Sequence, residues 1–188
     1  MIRQHQTERA NQRLRLMEDS LLNLLRTMKY EQITVKDICQ ESNIPRRTFY
    51  HYFESKDDVL DAAIESMMMS CNLNAVFEFS SGREAMKQSF VRFFQFWEGE
   101  NREILSRLLE NGQDSRLVSN MMKMARLEKH QYTRSGQLTD KQIEVGILVG
   151  TAGFFALLFH WCRHGYQESA EEMAEHAAWI LTEPLFAP

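Results

Sequence analysis

Cysteine, proline and glycine are all scarce in this chain. Its three cysteines in 188 residues, Cys39, Cys71 and Cys162, are odd in number and widely spaced. That excludes a disulfide framework and offers no metal-finger pattern. It suits a reducing compartment, the cytoplasm, with buried structural thiols favoured over a thiol redox sensor. Only three prolines and eight glycines interrupt a chain rich in Leu, Met, Ala, Glu and Arg, which points to an all-α fold. No Gly-rich loop could cradle a phosphate, and no Ser/His/Asp or Cys/His set stands out. No catalytic residue and no cofactor are therefore assigned, and an enzyme is not expected. The stretch Met1–Arg15 has no apolar core, so no secretory signal is expected. The run Val145–Phe159 carries no charge. As a helix it covers about 22 Å, short of a hydrocarbon core of roughly 30 Å, so a helix buried in protein is expected and no membrane partner.

A strong positive charge is also missing, since the net charge is −4. Its distribution is more informative. Residues 1–60 hold ten Lys/Arg against nine Asp/Glu, a balance of +1, and the remainder hold twelve against seventeen, a balance of −5. Between Met1 and Arg15, the four arginines Arg3, Arg9, Arg13 and Arg15 are set against only Glu8. Such an arm can track phosphates or a minor groove, or be a frayed basic terminus. At 44% hydrophobic content the chain is long and apolar enough for a sizeable core of one large or two small domains.

What is present is concentrated in Ile33–Val59, which reads as two short helices joined by a tight turn. Thr34 and Asp37 make a T-x-x-D capping box, so a helix should start at Val35 and end near Ser42. Asn43 sits where a sharp turn often needs positive φ, and Pro45 suits the first position of the next helix. That helix should run from about Pro45 to Phe53. At 100° per residue Phe49 and Phe53 share the inner face, Arg47 and His51 point nearly opposite, Thr48 and Tyr50 flank them, and Arg46 lies at the edge. Two arginines in a first turn oppose the helix dipole, at a cost of roughly 0.3–1 kcal/mol each. A purely structural helix prefers acids there, whereas phosphates and guanine edges repay arginine.

The pattern I-T-V-x-D-I at 33–38, R-x-T-F-Y-x-x-F at 46–53, and Ser55-Lys56 followed by Asp57-Asp58 resembles the TetR/AcrR family of transcriptional regulators. The resemblance covers about residues 10 to 65. It implies an N-terminal three-helix DNA-binding domain with a helix-turn-helix, here residues 1–55. A larger helical ligand-binding and dimerisation domain, residues 56–188, should follow. It implies that Arg46, Arg47, Thr48, Tyr50, His51 and Tyr52 face double-stranded DNA and that Lys56 binds phosphate. Thr34 is counted in the same set. Three positions depart from the family pattern: Pro45 where serine is frequent, Tyr52-Phe53 where His-Phe is common, and Asn43 where glycine often stands.

Further along, capping boxes Ser55/Asp58, Thr139/Gln142 and Ser169/Glu172 predict helix starts at Lys56, Asp140 and Ala170. Helices are also expected over Met67–Phe79, Arg83–Trp97, Glu103–Leu109 and Ser115–Arg134. The resemblance implies a small-molecule effector, with Met86, Phe90, Phe93, Phe94, Trp97, Met121, Tyr132, Phe155 and Phe159 as candidate pocket residues; a Met/aromatic stripe also makes ordinary core. Gly146, Gly150 and Gly153, with Ala170, Met173, Ala174, Ala177, Ile180 and Leu181, are the candidate homodimer interface, or else pack within the monomer. His160 and His164 have a spacing that can hold a metal, but nothing completes the set and no metal is assigned. The expected protein is a cytoplasmic homodimeric repressor released from a pseudo-palindromic operator by a small molecule. The alternatives are an activator or co-regulator acting through a protein partner, and a helical ligand-binding protein without DNA recognition.

Overall fold

The computed structural model describes residues 8–70, 82–127 and 139–182. Among these, nine α-helices and one 3-10 turn account for the regular structure. They are α1 (Glu8–Thr27), the turn Tyr30–Gln32, α2 (Val35–Glu41), α3 (Arg46–Tyr52), α4 (Lys56–Ser70), α5 (Gly82–Glu98), α6 (Arg102–Glu110), α7 (Asp114–Leu127), α8 (Asp140–Arg163) and α9 (Ala170–Thr182). Arg3, Cys71, most of the expected 67–79 helix, Tyr132 and the 135–136 break lie outside the described residues.

Two compact units divide the chain, Met1–Met67 and Met68–Pro188. In the first, α1 buries Leu14, Met17, Leu21 and Leu25, spaced to share one helical stripe. Most of α4 belongs here too. Val59, Leu60, Ala63 and Ile64 are buried, and the Ser66 hydroxyl donates to Glu18 of α1 at 2.7 Å. In the second unit α5 packs on α9, and α8 packs on α7 and α6. Its core is aromatic: Phe154 lies 4.5 Å from Phe93 and 4.9 Å from Phe90, ring centre to ring centre. Trp161 stands edge-on to Phe94 at 5.3 Å. Edge and tilted contacts of this kind add to area burial, because ring edges and faces carry opposite partial charge.

Helix α8 corrects the length argument made from the apolar run. The capping box at Thr139/Gln142 starts the helix well before Val145, and it runs for 24 residues. At 1.5 Å per residue that is about 36 Å, so α8 is long and apolar enough to cross a membrane. Packing decides its role instead. Ile143, Ile147, Phe154, Phe155, Leu158, Phe159 and Trp161 are buried in the protein, the pattern of a core helix.

Helix ends obey local chemistry. Gly165 has φ +77 after α8, and its N–H and that of Tyr166 reach back to Cys162 O and Trp161 O at 3.0 Å. Paired reverse bonds of this type satisfy carbonyls that the helix leaves open. Helix α9 is tied to α5 by Glu175, which meets Arg83 at 2.9 Å and also Lys87. Lys87, then Arg83, hold the Glu175 carboxyl below its ordinary pKa. A depressed acid adds stability above its unfolded pKa and loses it as pH falls through the folded one. Glu175→Gln is therefore expected to flatten the acid limb of the stability–pH curve below the usual glutamate range. Its effect near neutrality should be small. Thermal melts at stepped pH check this.

Candidate nucleic-acid interface

The turn between α2 and α3 places the exposed side chains. Thr34 caps α2: its hydroxyl accepts from Asp37 N at 3.3 Å and donates to Asp37 Oδ2 at 2.6 Å. Its own N–H donates to the same oxygen at 2.9 Å. These bonds hold the Asp37 carboxyl below its ordinary pKa. At the other end Asn43 has φ +52. Ile44 N donates to Cys39 O at 3.0 Å and Asn43 N to Gln40 O at 3.3 Å, closing α2 with a left-handed cap.

Pro45 is one position off the expectation. It precedes α3 as the N-cap, with φ −60 and ψ 143, and is not its first residue. Its carbonyl still accepts the first two helical bonds, from Thr48 N at 2.8 Å and Phe49 N at 3.0 Å. Helix α3 then holds on through Phe49, fully buried, and Phe53, nearly so, 5.9 Å apart. The opposite side is open. Arg46, Arg47, Tyr50 and His51 are exposed, Tyr50 at 58%, while Thr48 and Tyr52 are half-buried. Neither Arg46 nor Arg47 forms an ion pair among the described residues. Tyr50 stands edge-on to Phe49 at 5.4 Å, and His51 edge-on to Tyr52 at 5.2 Å. Six of the eight predicted side chains thus share one short helix, with cations, hydroxyls and an imidazole turned outward.

The other two are engaged within the protein. Both donors of Thr34 go to Asp37. Lys56 Nζ donates to Tyr30 O at 2.7 Å, Ile33 O at 2.8 Å and Glu31 O at 3.3 Å. It also lies 4.5 Å above the Tyr30 ring. An ammonium has three donors, and all three are used here. Asp57, the next residue, accepts from the Tyr30 hydroxyl at 2.7 Å. Sequence reasoning missed Tyr30, whose partners lie 26 and 27 residues away; no local pattern announces that pairing.

An exposed basic face on the second helix of a capped two-helix turn is the arrangement that enters a DNA groove. Residues 22–63 match the family described as bacterial regulatory proteins, tetR family, and residues 84–183, over half the chain, match its C-terminal region model, a transcriptional regulator C-terminal region. The chain belongs to the TetR family. It is a DNA-binding transcriptional regulator of a family that is not enzymatic. No curated protein matches it. Among solved structures, the fatty acid degradation regulator FadR of Bacillus halodurans aligns with a TM-score of 0.65 at 12% identity, over 97% of this chain and 98% of that one. FadR of Thermus thermophilus, described as a TetR-family repressor in complex with lauroyl-CoA, gives 0.58 at 15%, over 93% and 96%. The dihydroxyacetone kinase operon activator DhaS gives 0.57 at 16%, over 90% and 93%. At such identities the likeness carries the fold.

The TetR-type second unit treats the remaining expectations unevenly. Met86, Phe90, Phe93, Phe94, Trp97, Met121, Phe155 and Phe159 are all buried, most of them completely, in the aromatic core. A groove of ≈ 730 Å³ runs along α7, and among the described residues Phe159 is the one predicted residue in its lining. Its other walls, Val118, Met122, Lys123 and Arg126 among them, were not singled out in sequence. On α9, Ala170, Met173, Ala174 and Ala177 are buried within the protomer, on a helix that packs against α5. They are the inward side of the helix and not a free face. Ile180 is 42% exposed, beside Trp179, and Leu181 has no described side chain. Gly146, Gly150 and Gly153 of α8 face open space, where an added Cβ would meet no neighbouring atom within 4 Å.

Replacing Lys56 by Met keeps the stem and removes three charge-assisted bonds, so the first unit should lose about 1–3 kcal/mol. Urea unfolding followed by circular dichroism checks it; an unchanged midpoint would show that water replaces the lysine without cost.

Proposed function

We propose that this regulator is a homodimeric repressor, released from a pseudo-palindromic operator when a small molecule binds its second domain. The observation that carries the DNA part is the outward set Arg46, Arg47, Thr48, Tyr50, His51 and Tyr52 on a helix anchored from behind by Phe49 and Phe53. Arg47 is assigned to a base edge, where a guanidinium can bond guanine O6 and N7 together. Arg46 and the tyrosines are assigned to phosphates and flanking contacts. Thr34 and Lys56 serve the same surface by fixing α2 and α4 around the turn. Residues 1–55 supply the reading head. Residues 56–188 are assigned effector binding and dimerisation; α4 opens that span, with Val59, Leu60, Ala63 and Ile64 still packed in the first unit, and so links the two.

The dimer reading rests on α8. Val145, Leu148 and Val149 are 46%, 47% and 65% exposed, and Gly146, Gly150 and Gly153 lie beside them without a Cβ. An apolar helix side with small residues suits close helix pairing; on α9, Trp179 and Ile180 are 46% and 42% exposed. A two-fold pairing would set two reading helices about one DNA turn apart. An effector works by favouring one spacing of the heads over another, since a ligand equal in affinity for both shifts nothing. The cytoplasm, where the DNA is, is the expected place of action. Regulatory sign depends on where the operator lies relative to the promoter, and the fold is shared by a named repressor and a named activator.

Selection from a random duplex pool at near-physiological salt should return a palindrome. On that site Arg47→Ala is expected to cost about 1–3 kcal/mol and relax preference at particular base pairs. Lys56→Ala should weaken all sequences alike. Equal loss on every sequence for Arg47→Ala would refute its base-reading role. Val149→Glu places a charge in the proposed pairing face; sedimentation should show monomers, and a persistent dimer would move the interface elsewhere.

A further inference from the structure

The groove along α7 has a chemical character of its own. Its apolar floor is Phe159, nearly buried, with Val118 and Met122, both half-buried. Lys123 and Arg126 stand exposed in the same lining and form no ion pair among the described residues. The one acid among the described lining residues, Asp114, is already engaged, accepting from Arg163 Nη2 at 3.1 Å. The Arg163 guanidinium also lies 5.9 Å from the Phe159 ring. A volume of ≈ 730 Å³ is within the range of roughly 300–1,000 Å³ usual for small-ligand sites. The groove therefore offers an apolar wall to a ligand body and two exposed cations to its head.

We propose that this groove is the effector site and takes an amphipathic organic anion. Its apolar chain lies on Val118, Met122 and Phe159, and its carboxylate or phosphate is held by Lys123 and Arg126. The assignment rests on reading the second unit as effector-binding, and adds the ligand class and the residues that select it. Neutral molecules of the same length gain the apolar contact alone. Lysine and arginine give the preference for an anion, because an ionised head forms charge-assisted bonds that a hydroxyl does not.

Titration calorimetry of the full chain with decanoate and with decanol tests this without DNA. Decanoate should bind saturably, and Lys123→Met/Arg126→Met should weaken it by about ten-fold or more while leaving decanol unchanged. Both substitutions are on exposed positions, and circular dichroism confirms that the fold is kept. Ser119→Trp, which fills the groove, should remove both ligands. Decanoate affinity indifferent to the double substitution, or no saturable decanoate binding by folded protein, overturns the site. The reading of effector release is judged separately on operator DNA. Charge-dependent decanoate binding that leaves operator affinity unchanged keeps the groove and sinks release by this ligand. Release of the double variant by some other molecule, with decanoate inert throughout, keeps release and sinks the groove.

Discussion

Helix α3 is seven residues long, and everything this protein reads depends on holding it still. A helix that short is not stable alone in water, because nucleation costs more than two turns of bonds return. Its N-cap is a proline, which gives no side-chain bond, and its first turn carries arginines that oppose the dipole. Stability must come from behind. Phe49 and Phe53 supply it by burial, and the left-handed Asn43 sets the angle at which the helix leaves α2. The outer face is thereby relieved of any structural duty, which is what allows it to be basic and polar.

The Lys56–Tyr30 cluster extends the same logic. One ammonium gathers three carbonyls from the 3-10 turn and the segment that leads into α2, and Tyr30 is itself fixed by Asp57. Residues at the start of α4 thus grip the approach to the helix-turn-helix. Position in a family pattern suggests a phosphate ligand at Lys56; the hydrogen bonds make it first a fastener of the backbone. The two roles differ in energetics, because a fastener acts on every sequence through geometry whereas a free cation acts through charge and salt.

In the second unit, polarity rather than size separates core from surface. The Met and aromatic stripe on α5 and α8 is buried, with rings 4.5 to 6.3 Å apart. The groove with the exposed cations Lys123 and Arg126 lies along α7. Likewise α9 turns its small residues inward, where alanine lets it approach α5, and leaves Trp179 and Ile180 in the open.

Sequence alone was sufficient for features set by contacts within a few residues. The boxes at Thr34/Asp37, Ser55/Asp58, Thr139/Gln142 and Ser169/Glu172 are each three apart and each forms. The all-helical fold, the position of the turn and the exposure of Arg46, Arg47, Tyr50 and His51 on α3 followed from the same short-range rules and from the 3.6-residue period. Which partner each face meets was decided only in three dimensions. Lys56 met carbonyls of Tyr30 and Ile33, far from it along the chain. Helix α8 proved long enough to span a bilayer yet packs as core, and the α9 stripe faced α5. Periodicity says that a face is apolar, but burial depends on which other surface arrives, and that is a property of the folded chain as a whole.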